Sequence, residues 1–153
     1  MIGKTIATQP TAKILLKALL AKNGIAESDV NVVNMGGGMG QLMTGQADAV
    51  TGWLTNTNAL KILGADRVDL KLWDTGIQLY ANPYYVTDET LDKHFDVIAG
   101  FIRASSKGWG YTKQHPEAAV DMLVGAYSNL KKDSEMEAML SVLGFSFTSE
   151  TKA

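Results

Sequence analysis

The chain contains no cysteine. That absence excludes disulfides, thiolate metal centres and cysteine nucleophiles together. Histidine is nearly as scarce. His94 and His115 are the two present; they lie far apart, near expected helix ends, without paired carboxylates at ligand spacing, so no metal site is expected. Neither sign of charge dominates: 14 Lys and Arg stand against 16 Asp and Glu, a formal net charge of −2. With no basic cluster beyond Lys131-Lys132, there is no electrostatic footprint for nucleic acid. No apolar run reaches the roughly 18 residues that read as a membrane-spanning helix, and the start shows no signal-peptide pattern. There is no G-x-S-x-G elbow and no Ser/His/Asp set. Catalysis is therefore not expected, and neither is a cofactor.

What is present is a core-forming chain of 153 residues, 46% of them apolar, long enough to bury a sizeable interior. Strands are predicted at Lys4–Thr8, Val30–Met35 and Asp48–Trp53, with helices between them at Ala12–Asn23 and Gly38–Gly45. Pro10 suits the first helical turn, Leu15, Leu16, Leu19 and Leu20 form an apolar stripe, and Asn23-Gly24 is a stop signal. A short helix follows at Asn58–Leu63. Val68–Trp73 alternates with period two, as a half-solvated strand should, and further strands are predicted at Ile77–Ala81 and Tyr84–Val86. After Thr87 the pattern is helical: a long amphipathic stretch broken at His115-Pro116, then Glu117–Tyr127 and Ser134–Leu143, with an irregular tail from Gly144. The expected fold class is α/β, a mixed, mainly parallel sheet with helices on both faces, plus a C-terminal helical segment. The organisation expected is 1–82 as an α/β ligand-binding lobe and 83–153 as a helical segment.

Residues 34–58 concentrate the pocket-type chemistry. Asn34-Met35-Gly36-Gly37-Gly38 ends one strand in a glycine turn, and the next strand stops on Trp53-Leu54-Thr55-Asn56. In open α/β sheets ligands sit beyond the carboxyl ends of the strands. The glycines offer backbone N–H groups, the indole offers a flat wall, and the side chains around it are neutral hydrogen-bonding groups. A dinucleotide fingerprint laid from Gly36 fails at Gln41, and Gly3-Lys4-Thr5 lacks the upstream glycine of a P-loop. Candidate ligand contacts are Gln9 and Thr11 after the first strand, Asn34 with Gly36, Gly37 and Gly38 after the second, and Trp53, Thr55 and Asn56 after the third. Tyr80 is added as one aromatic near the exit from the α/β part. Trp53 reads equally well as core or as a pocket wall.

Gly3-Lys4-Thr5-Ile6-Ala7-Thr8, the Leu-rich helix after it, and Leu42-Met43-Thr44-Gly45-Gln46-Ala47-Asp48-Ala49-Val50-Thr51-Gly52-Trp53 resemble the type II solute-binding proteins of ABC importers. The likeness is to the branch that binds nitrate, sulfonates, taurine and pyrimidine precursors of thiamine. It continues through Tyr80-Ala81-Asn82, Phe101-Ile102-Arg103-Ala104 and His115-Pro116-Glu117-Ala118-Ala119. The resemblance implies two lobes closing on a small solute, delivery to an ABC permease, and a periplasmic or extracellular membrane-associated setting. It implies a binder rather than an enzyme. It also implies that the chain starts where the family's second lobe starts. Residues 77–82 would then be a return hinge strand, and the later helices would belong to the other, incomplete lobe. Left without that lobe, their apolar faces are expected to pair two copies as a homodimer. The alternatives are a relative of the enzyme that makes the thiamine pyrimidine, whose cysteine-rich segment this chain lacks, and the effector domain of a transcription regulator, though no helix-turn-helix is apparent.

Overall fold

In the computed structural model, residues 1–36, 38–79 and 83–147 are described. They fall into two compact units, Met1–Tyr80 and Ala81–Ala153. The first unit holds a parallel three-stranded sheet in the order β2-β1-β3. Its strands are β1 (Thr5–Thr8), β2 (Asn31–Asn34) and β3 (Ala49–Val50). Helix α1 (Lys13–Lys22) joins β1 to β2, α2 (Gly40–Met43) joins β2 to β3, and α3 (Thr57–Lys61) follows β3.

β1 is central because its side chains suit burial on both faces. Ile6, Ala7 and Thr8 are all buried, as the middle strand of a parallel sheet requires. Ile6 packs with Leu16 and Leu20 of α1 and with Val30, and Ile25, Val32 and Ala49 complete the cluster. The expected stripe of α1 is the face that does this: Leu16, Leu19 and Leu20 are buried, while Lys13 and Lys17 stay in water. Each such leucine contributes about 1.5–3 kcal/mol by leaving water. The predicted stop also forms. Gly24 takes the left-handed conformation (φ 67°), its N–H donates to the Ala21 carbonyl at 3.1 Å, and the Ile25 N–H donates to the Leu20 carbonyl at 3.0 Å. This pair of bonds is a Schellman cap, and it feeds Ile25 into the cluster.

Register is Thr5 to Asn31 through Thr8 to Asn34 on one side, and Ile6 to Ala49, Ala7 to Val50 on the other. β3 is shorter than the predicted Asp48–Trp53, but Asp48 N–H to Thr5 O (2.8 Å) and Thr51 N–H to Ala7 O (3.0 Å) extend its ladder. At the amino end of the sheet Asp48 clips β1: its carboxylate accepts from the Thr5 N–H and from Lys4 Nζ, each at 2.9 Å. The Thr5 N–H first, and then Lys4, hold its carboxyl below the usual aspartate range.

The predicted strand Val68–Trp73 is absent. Val68 and Leu70 point into water, 94% and 67% exposed, and Trp73–Thr75 forms a 3-10 turn. Arg67 grips Asp69 with two nitrogens and reaches the Leu60 carbonyl, which folds this stretch locally. Ile77–Leu79 and Tyr84–Val86 are not strands either. The rest of the expected hinge strand, Tyr80 to Asn82, lies outside the described residues. The described sheet is therefore parallel throughout, not mixed.

The second unit is helical: α4 (Asp88–Gln114), α5 (Pro116–Ala126) and α6 (Lys132–Ser146). Thr87 caps α4, its hydroxyl accepting from the Thr90 N–H at 3.2 Å. His94 departs from helical geometry and kinks α4 (φ −134°, ψ 30°). His115-Pro116 ends it, with proline opening α5. Helix α6 runs past Gly144, where an irregular tail was expected. Val120 is buried between packed helices, and Lys132 ties α6 to α5 through Asp121 (2.6 Å) and Glu117 (3.2 Å). Those two carboxylates, Asp121 first, raise its pKa. Helix α4 contributes no buried residue.

Candidate ligand-binding site

The strand order singles out one edge of the sheet. The chain steps from β1 to β2 in one direction and then across β1 to β3 in the other. Since crossovers of this kind are as a rule right-handed, steps in opposite directions call for helices on opposite faces, and loops leaving neighbouring strands then diverge where the order reverses. The crevice of an open α/β sheet lies at that divergence, beyond the carboxyl ends. Those ends are Thr8-Gln9, Asn34-Met35-Gly36 and Thr51-Gly52-Trp53. They share one edge, held by Met35 N–H to Thr8 O (2.9 Å) and by Thr51 N–H to Ala7 O.

The floor between β1 and β3 is a pair of hydroxyls. Thr8, only 1% exposed, lies with its Oγ1 2.9 Å from that of Thr51 and 3.4 Å from the Gln9 carbonyl. The hydroxyls satisfy each other, which lets a polar side chain sit in the middle strand without an unpaired group.

The glycine turn is braced on two sides. The carboxamide of Gln41 spans it: Oε1 accepts from the Gly36 N–H at 2.9 Å and Nε2 donates to the Asn34 carbonyl at 3.3 Å. Met39, buried, leans on the end of β3. A Cβ at Gly52 would stand 3.3 Å from Met39 Cε, so glycine there permits the turn to approach β3 closely. The glycine bend and the Trp53 strand end, separated by a helix in sequence, are thereby neighbours.

Gln9 and Thr11 are exposed at the 3-10 turn Pro10–Ala12, and Gln9 makes no capping bond with its side chain. Asn34, Gly36 and Gly38 are exposed. The Gly36 N–H is already engaged by Gln41, whereas the sequence led us to expect it bare. Trp53 is 58% exposed, which removes the core reading of that residue. Thr55 is half-buried, and Asn56 is exposed at the start of α3 without a capping bond from its side chain. Gly37 and Tyr80 lie outside the described residues. Sequence reasoning missed Thr8, Thr51, Met39 and Gln41. A strand threonine resembles any β-branched residue, and Gln41 drew notice only for spoiling a glycine motif.

The groups gathered at this edge are an indole, hydroxyls, carboxamides and backbone amides. The charged Lys4–Asp48 clip is at the other end of the same strands. Among the described residues no three His, Asp or Glu side chains form a metal-holding group. Groups of these kinds are suited to stacking on a flat ring and to hydrogen bonding at its rim.

Residues 1–119 match the family described as NMT1/THI5 like. A curated relative, the formylaminopyrimidine-binding protein of Halalkalibacterium halodurans, is 26% identical over 130 residues, covering 81% of this chain and 39% of the relative. The chain thus spans well under half the length of that relative.

Proposed function

Because the chain belongs to the NMT1/THI5 like family, we propose that it serves as the substrate-binding component of an ABC-type importer, taking a pyrimidine precursor of thiamine as its solute. In this reading Met1–Tyr80 supplies one wall of a two-lobe site, residues 77–82 return the chain to the other lobe, and the later helices belong to that lobe. The captured solute passes to an ABC permease from the periplasmic or extracellular side. The protein binds and releases; it does not transform. Gln9, Thr11, Asn34, Gly36, Gly37, Gly38, Trp53, Thr55, Asn56 and Tyr80 are the proposed contacts.

One observation carries the reading: an exposed indole, Trp53, stands at the carboxyl edge among neutral hydrogen-bonding groups. A flat heteroaromatic ring uses both. A sulfonate or nitrate would use neither the ring nor the carboxamides fully, which ranks those solutes below the pyrimidine. The curated relative's name supports the same ranking.

The test is a thermal-shift panel of aminopyrimidines, alkylsulfonates, nitrate and amino acids. A ligand that binds only the folded state raises the melting temperature by mass action. Aminopyrimidines are expected to give the largest rise. A flat response to every compound would refute the binder reading.

A further inference from the structure

Past its first turn, helix α4 carries its charges in two blocks. Asp92 and Asp96 come first, Arg103 and Lys107 follow, and all four are exposed. Asp96, Arg103 and Lys107 are spaced seven and four apart, which puts them on one flank of the helix. Asp92 stands four residues earlier, just before the His94 kink. Inside one helix this order is unfavourable. Like charges sit four apart, where they repel, and the nearest opposite pair, Asp96 and Arg103, is roughly 10 Å apart along the axis. Among the described residues none of the four is in an ion pair within the chain. The pair that α4 does make, Glu89 with Lys93 at 2.6 Å, sets opposite signs four apart. The helix dipole does not account for the blocks, because its influence ends within the first and last turns.

The blocks become complementary when a second α4 runs the other way. They are symmetric about the Ala99–Gly100 bond: Arg103 lies as far after it as Asp96 lies before it, and Lys107 answers Asp92 in the same way. A two-fold axis through that point faces each acid with a base of the other copy. A parallel pair would face acid with acid. Beside this flank runs an exposed apolar strip, Phe95 (63%) and Ile102 (50%), seven apart and so nearly in line. The small Ala99 and Ser106 lie alongside and let two helix axes approach closely. We propose that α4 is the surface through which two copies of this chain pair, antiparallel and centred on Ala99–Gly100, with Asp96 against the partner's Arg103 and Asp92 against the partner's Lys107. The apolar strip supplies the attraction, and the charges fix the direction. The inference concerns the helical unit alone and does not draw on the proposed function.

The experiment is sedimentation of the full chain as wild type and as three charge variants. Asp92→Lys with Asp96→Lys makes both blocks basic, Arg103→Glu with Lys107→Glu makes both acidic, and the third variant carries all four changes. Wild type is expected to dimerise. Each half-reversed chain should associate at least about tenfold more weakly, and the fully reversed chain should return to within about threefold of wild type. Net charge does not produce that order, since the first variant only turns −2 into +2. The recovery also guards against a misfolded variant, because the fully reversed chain carries the same substitutions. Direction is read separately. The chain has no cysteine, so Gln114→Cys takes a single spin label at the end of α4. An antiparallel pair holds the two labels roughly 45 Å apart, a parallel pair roughly 10–20 Å. A wild type that stays monomeric at millimolar concentration, undiminished association of the half-reversed chains, no recovery on full reversal, or a short label distance would each overturn the inference.

Discussion

The two units solve burial differently. In Met1–Tyr80 a small kernel is closed: Ile6, Leu16, Leu20 and Val30 are each less than one-tenth exposed around a strand covered on both faces. In Ala81–Ala153 the longest helix buries nothing, and Phe95, Val97, Phe101 and Ile102 are each at least half exposed. The first unit has an interior of its own. Among its described residues the second has one buried side chain, Val120, and an apolar face on α4 left in water. An uncovered stripe on a helix of that length is the kind of surface on which a partner can pack.

The sharpest way to break this contrast is to truncate one side chain in each unit. Ile6→Ala should cost about 2–5 kcal/mol in urea unfolding, since it opens a cavity in a closed kernel. Phe101→Ala, on the exposed face, should stay within about 1 kcal/mol when measured at a concentration low enough for the chain to be monomeric. Equal losses there would mean that the α4 face is covered within one chain and that the contrast is false.

Self-association probes the same face. The wild-type chain is expected to dimerise through α4 as concentration rises, and Phe95→Ser with Phe101→Ser together should shift it toward monomer in sedimentation experiments. A monomeric wild type at high concentration would remove the homodimer expectation.

A smaller effect separates binding from stability within the first unit. Trp53→Ala should weaken aminopyrimidine binding by about tenfold, about 1.4 kcal/mol, and leave the melting temperature almost unmoved because the ring is mostly in water. A large loss of stability instead would return Trp53 to the core.

The smallest effects concern pH, and the units respond at opposite ends. The lowered pKa of Asp48 means its contribution is present above the unfolded value of 3.8 and fades as pH falls through the folded one. The gap in melting temperature between wild type and Asp48→Asn should therefore close in acid. The raised pKa of Lys132 gives a contribution present below 10.5 and lost as pH rises through the folded value. The gap to Lys132→Met should close in alkali. Both clips are exposed, so each gap is small.

The legible parts of the fold were those where one signal sufficed. The α1 stripe, the Asn23-Gly24 stop and the His115-Pro116 break are each local, and each formed. Val68–Trp73 was misread because alternation states only which faces are wet. A strand also needs an edge to pair with, and that depends on residues remote in sequence. The site followed the same rule. Glycine and tryptophan at strand ends are conspicuous, and both do lie at the carboxyl edge of the sheet. The Thr8–Thr51 pair and the Met39–Gly52 contact arise only when three strands are in register, and no local pattern encodes them.

Placing β1 in the middle of the sheet has a consequence for biogenesis. It leaves the ribosome before either strand that flanks it, and its second edge stays open until residues near Val50 have been translated. A nascent chain stalled before that point carries a strand with an open edge, the kind of segment that chaperones hold and that otherwise joins to its neighbours.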